Sequence, residues 1–123
     1  MSNKIQVLKL GTHRKNRRVW LDNPTLLKSV GFTVGARYDT EYCHIDRCII
    51  LRLDEEGARK VAKKSEVLPV IDLNSTKVGW ALGDVEQIEV DYFHDMIRIT
   101  PVEEKERSIN ELANTYKRLA NKA

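Results

Sequence analysis

One pattern is written twice in this chain. Gly31-Phe32-Thr33-Val34-Gly35 is answered by Gly79-Trp80-Ala81-Leu82-Gly83. With no gap, the same shift lays Thr40 on Ile88, Tyr42 on Val90, Cys48 on Met96, Ile49 on Ile97 and Leu51 on Ile99. Each pair is apolar or β-favouring and falls where a strand needs its inward residue. Upstream, Trp20-Leu21-Asp22 matches Val70-Ile71-Asp72 once two residues are dropped. A chain that repeats its unit is narrowly constrained, because one copy leaves its apolar face and strand edges open and the second must cover them. The unit reads as strand, helical turn, aromatic-bearing glycine turn and hairpin.

Taken in order, Lys4 to Leu10 reads as a strand, Gly11 to Asn16 as a basic connection, and Arg17 to Leu21 as the returning strand of a hairpin. Asp22 or Asn23 caps a short helix whose first position suits Pro24 and which Gly31 ends. Strands over Arg37 to Tyr42 and Ile49 to Leu53 flank a turn, His44 to Arg47, that is bracketed by Cys43 and Cys48. Two cysteines make no disulfide framework and no metal-ligand set, so reduced thiols are expected. After the turn Asp54-Glu55-Glu56-Gly57, Ala58 to Ser65 is assigned to a further strand paired with Ile49 to Leu53. The second unit repeats the plan with strands over Val67 to Leu73, Val85 to Val90 and Met96 to Pro101, and a turn of helix capped by Asn74-Ser75-Thr76. Beyond the Thr100-Pro101-Val102-Glu103 capping box, Ile109, Leu112, Tyr116 and Leu119 form an apolar stripe on a predicted C-terminal helix. The expected fold is mainly β, with a repeat domain over 1–102 (units about 17–53 and 69–102) and a helix over 103–123 that docks on the core or pairs with a partner.

The formal net charge of +3 conceals a polarised chain. Met1 to Trp20 carries lysines and arginines and no acid, whereas Glu66 to Glu106 is dominated by Asp and Glu. One end can attract polyanions and the other repel them. No run approaches the roughly twenty apolar residues that span a bilayer. With no leader pattern at Met1, a cytoplasmic protein is expected.

Strand, helical turn, G-F-x-x-G and hairpin together resemble the AbrB/MazE/SpoVT class of swapped-hairpin DNA-binding domains, over Arg17 to Leu53 and again over Pro69 to Val102. The resemblance implies one pseudo-two-fold β-barrel. Members usually carry one unit and dimerise; two units in one chain make that pseudo-dimer internal, so monomer and homodimer both stay open. It also implies that arginines early in each unit contact DNA.

On the residues themselves, Lys9, His13, Arg14, Lys15, Asn16, Arg17 and Arg18 form the first basic cluster, and Arg59, Lys60, Lys63 and Lys64 the second. Cationic β-ribbons grip phosphates and fit the major groove. Two ribbons on one side of a pseudo-two-fold axis would suit a palindromic double-stranded DNA site. Trp20 faces away from Val19 and Leu21 and is a candidate contact residue; Phe32 and Trp80 are expected in the core, and Asp22 and Asp72 as helix caps. No nucleophile elbow, phosphate-binding glycine loop or metal cluster is evident, so neither an enzyme nor a cofactor is expected. The alternative is a protein-interaction module, such as an antitoxin or a phage-encoded inhibitor of a host defence complex. Its partner would meet the C-terminal helix or the acidic second half.

Overall fold

Alternation of inward apolar and outward polar residues builds two antiparallel sheets in the computed structural model, which describes residues 4–102. The helix expected to carry Ile109, Leu112, Tyr116 and Leu119 lies outside the described residues. In chain order the elements are β1 (Lys4–Lys9), β2 (Gly11–His13), β3 (Asn16–Leu21), α1 (Pro24–Ser29), β4 (Arg37–Cys43) and β5 (Cys48–Leu53). They continue as β6 (Arg59–Lys60), β7 (Ala62–Ser65), β8 (Leu68–Leu73), α2 (Thr76–Leu82), β9 (Gln87–Phe93) and β10 (Met96–Pro101). The six-stranded sheet is ordered β1-β9-β10-β5-β4-β6 and the four-stranded sheet β2-β3-β8-β7. Among the described residues no helix is long and apolar enough to cross a membrane.

The mainly β expectation holds, but the sheets do not close into a single barrel. The chain passes between them at Leu10 and at Val61, where each side chain drops into the core. Their N–H groups go to the Glu86 and Ala36 carbonyls, each at 2.8 Å. Two strand assignments change partner for this reason. Lys4–Lys9 pairs with β9 rather than with β3, and only Gly11–His13 completes the β3 hairpin. Ala58 to Ser65 does form strands, but β6 lies on β4 and β7 on β8, not on β5.

Strand, helix and hairpin follow one another twice, and the two halves meet along two ladders. In β3·β8 Leu21 faces Ile71, and in β5·β10 Ile50 faces Arg98. Both rungs join residues that the two sequence shifts had equated. The hairpin tips then cross over. Arg47 of the β4–β5 turn donates from Nη2 to the Leu82 carbonyl at 2.9 Å, at the end of α2. Asp95 of the β9–β10 turn donates its N–H to the Val30 carbonyl at 3.2 Å, at the end of α1. Each tip thereby satisfies carbonyls that a helix end leaves without a partner.

The helices correct the glycine alignment. Asn23 caps α1 by accepting from the Leu26 N–H at 3.0 Å, and Gly31 follows at φ +90°. Asp22 and Asp72 are therefore not caps; Asn23 and Ser75 occupy those positions. Helix α2 extends through Gly79 and ends at Gly83, φ +79°. The positive-φ glycine that ends α2 is thus Gly83, as Gly31 follows α1, while Gly79 lies inside the helix. Phe32 lies fully buried behind its glycine, whereas Trp80 sits on the outward face of α2 and is 55% exposed. Tyr38 and Tyr92 join Phe32 in a core that is otherwise mostly aliphatic, with Val19, Leu21, Leu27, Ile49, Leu51 and Ile97 entirely covered.

Candidate nucleic-acid interface

The β2–β3 hairpin is closed by a two-residue turn, Arg14-Lys15, at its tip beyond the His13·Asn16 rung. Arg14 has φ +59°, in the left-handed region that favours glycine and costs other residues roughly 1 kcal/mol. Arg47 and Asp95 share that conformation, and both are tied to a helix end. Arg14 and Lys15 are exposed and have no hydrogen-bond or ion-pair partner among the described residues.

The next two arginines are occupied. Arg17 points inward, donating from Nη2 to the Leu10 and Val85 carbonyls at 3.2 and 2.7 Å and from Nη1 to Asp84 at 2.8 Å. It ties β3 to the connection between α2 and β9, so it is a structural residue. Arg18 faces outward, and its Nε and Nη2 hold both oxygens of Asp72 at 2.9 and 2.8 Å. Its guanidinium also lies over the Trp20 ring, 4.4 Å from the centroid, in cation–π geometry.

Because residues two apart share a face and rung partners share it too, Asn16, Arg18 and Trp20 project outward with His13 and Asp72. Lys64 joins them through an ion pair of 3.0 Å to Asp22. Arg59 reaches in from β6, its Nη2 3.4 Å from the Asp72 carbonyl. The outer face of the four-stranded sheet therefore gathers Arg14, Lys15, Arg18, Arg59 and Lys64 from both predicted clusters. Lys9 and Lys60 belong to the six-stranded sheet instead, and Lys63 is an exposed residue of edge strand β7 opposite Pro69.

The paired-ribbon arrangement is not what forms. β3 and β8 run antiparallel, with Val19 opposite Leu73, so the β2–β3 and β7–β8 turns lie at opposite ends of their sheet. The second turn is Glu66-Val67, which carries an acid and an exposed valine where the first carries Arg14-Lys15. Two cationic tips on one side of a palindrome are ruled out by that antiparallel pairing.

Asp22 and Asp72 were missed as site residues, although Asp22 sits two positions beyond outward-facing Trp20 and Asp72 lies opposite Trp20 on β8, where an ion pair across the sheet is possible. Hydrogen bonding from Arg18 holds the Asp72 carboxyl below the usual carboxylate range, and bonds from Lys64 and then Trp20 do the same for Asp22. A carboxylate depressed in the folded state contributes stability above its unfolded pKa and loses it as pH falls through the folded value. Stability should therefore stay level from pH 7 to about 5 and drop below about 4. Urea unfolding of D22N/D72N beside wild type checks this; an undiminished acid slope in the variant would remove these two pairs as its source.

Among the described residues no three His, Cys, Asp or Glu side chains are grouped to hold a metal ion. Comparison with protein-family models, curated proteins and solved structures gave no match to this chain.

Proposed function

We propose that this chain is a small DNA-binding protein that grips phosphates with the outer face of its four-stranded sheet. We also infer that it is a tandem form of the AbrB/MazE/SpoVT-like unit. The Leu21·Ile71 and Ile50·Arg98 rungs support the second inference, as do the hairpin tips that cap one another's helices. The first rests above all on Arg14-Lys15. Two cations stand at a hairpin tip in a backbone conformation that disfavours arginine, with no described partner, while Arg17 and Arg18 beside them are neutralised internally. Charges held out at some conformational cost point to an external anion.

That distribution also selects the test. Removing Arg17 or Arg18 would disturb the fold, so the informative variant is R14A/K15A. Wild type should retain a duplex, with affinity falling steeply as salt rises. Because each phosphate contact contributes about 0.9 to the logarithmic salt slope, the variant's slope should be shallower by about 2. Its affinity at low salt should fall at least roughly tenfold, with the circular dichroism spectrum unchanged. Salt-independent retention, or no retention of DNA in either duplex or single-stranded form, would reject the proposal.

One observation favours the alternative of a protein-interaction module. Ile45 is 90% exposed at the β4–β5 tip, next to His44, whose ring stacks on exposed Trp80 at 5.2 Å. An apolar spot on the outside of a small domain is a common partner contact. It becomes the better reading if the salt-dependent retention above is not seen.

A further inference from the structure

Resting on the DNA-binding reading, we propose that Trp20 is a stacking platform for an unpaired base. The ligand of this face is then single-stranded or locally opened DNA in preference to closed duplex. Trp20 lies on β3, an inner strand of the four-stranded sheet, and turns outward between Val19 and Leu21, which are wholly buried. The core-facing positions are taken by aliphatic residues, so the indole is not needed for packing there. It remains 38% exposed on the outer face.

The ring is also held in place. The Arg18 guanidinium stacks against it at 4.4 Å, and Arg18 is itself fixed by two bonds to Asp72. On the same face, Asp22, two residues along β3's line from Trp20, is paired with Lys64 at 3.0 Å. An aromatic surface held by an anchored neighbour loses little conformational freedom when a base lies on it.

Around it stand the phosphate-binding groups of the proposed interface. At about 3.3 Å per residue, Lys15 is roughly 17 Å along β3 from Trp20, a span of a few nucleotides. In closed duplex the base planes are stacked on one another, so a sheet face meets phosphates and groove edges only. An extended single strand offers phosphates to Arg14 and Lys15 and a base plane to Trp20 together. That combination of cationic track and stacking aromatic is how sequence-tolerant single-strand binders work.

The experiment uses W80F, which leaves Trp20 as the only tryptophan, titrated with a thymidine oligonucleotide and with a mixed-sequence blunt duplex at one salt concentration. The single strand should quench Trp20 emission and bind roughly tenfold tighter than the duplex, as one base–aromatic stack provides. Trp20→Ala should lose that preference while keeping salt-dependent duplex binding, and Trp20→Phe should keep part of it. Equal binding of both nucleic acids with unchanged Trp20 emission, while R14A/K15A still weakens both, overturns the stacking proposal and leaves the DNA-binding reading standing. Failure to bind either overturns both.

Discussion

Gly57→Ala is expected to destabilise the protein by about 3 kcal/mol, a fall in melting temperature on the order of 10 °C. Gly57 is buried, and a methyl group on its Cα would stand 2.6 Å from each of three backbone atoms of Tyr38, its N, C and O. Overpacking is usually tolerated when a side-chain end can swing aside. Here the obstacle is the main chain of β4, which is held on both flanks. Tyr38 pairs with Leu53 on one side and with Arg59 on the other. The turn that carries Gly57 is fixed as well: its N–H donates to the Asp54 carbonyl at 2.8 Å and its carbonyl accepts from Arg37 Nε at 2.9 Å. Either the turn lifts off β4, taking β6 with it, or Tyr38 moves and disturbs its contact with Phe32, 5.9 Å between ring centroids. Thermal and urea unfolding measure the loss. A variant as stable as wild type would mean that the turn has room to rise without breaking the β4·β6 ladder.

Gly57 shows what was legible in the sequence and what was not. The turn over Asp54 to Gly57 is plain from composition, since acids and a glycine close between apolar runs. That the glycine lies against another strand is not, because close approach depends on a partner distant in sequence. The same division runs through the fold. Local signals were reliable: Pro24 opens α1, Gly31 ends it, and Cys43 and Cys48 bracket the β4–β5 turn. Partners were not, and β1, β6 and β7 each lie beside a strand other than the one expected.

The ungapped repeat misled for a more specific reason. The β4–β5 turn has four residues, His44 to Arg47, while the β9–β10 turn has two, His94 and Asp95. Leu51 faces Thr40, and its counterpart Ile99 faces Val90, so Thr40 belongs with Val90 rather than with Ile88. A slip of two residues in a strand returns every side chain to its own face. Alternation alone therefore cannot detect it. In the candidate interface the cationic residues were legible as a cluster, but not which of them were already neutralised. Arg17 and Arg18 read like Arg14 and Lys15 until Asp84 and Asp72, both distant in sequence, are brought beside them.

Phe32 and Trp80 hold equal places in the sequence repeat, and their alanine variants should differ severalfold in cost. Phe32 is covered on all sides and packs on Tyr38 within the main core, so Phe32→Ala leaves a cavity and should destabilise by about 3–5 kcal/mol. Trp80→Ala removes an exposed ring that stacks on His44, a contact worth about 1 kcal/mol. Alanine in place of tryptophan within α2 returns a few tenths of a kcal/mol through helix propensity. The His44 ring nitrogen near the Trp80 carbonyl, 2.8 Å away, keeps its backbone partner in that variant. The net cost of Trp80→Ala should thus stay below about 1 kcal/mol, measured by urea unfolding of both variants under one condition. The ratio is what distinguishes the two alignments. If Gly79 matched Gly31, both aromatics would plug equivalent positions and both substitutions would be severe. If Gly83 is the true counterpart, Gly79 and Trp80 are interior positions of a helix longer than α1, and only Phe32 closes the core. Comparable losses from the two variants would return Trp80 to the interior and undo the correspondence of Gly31 with Gly83.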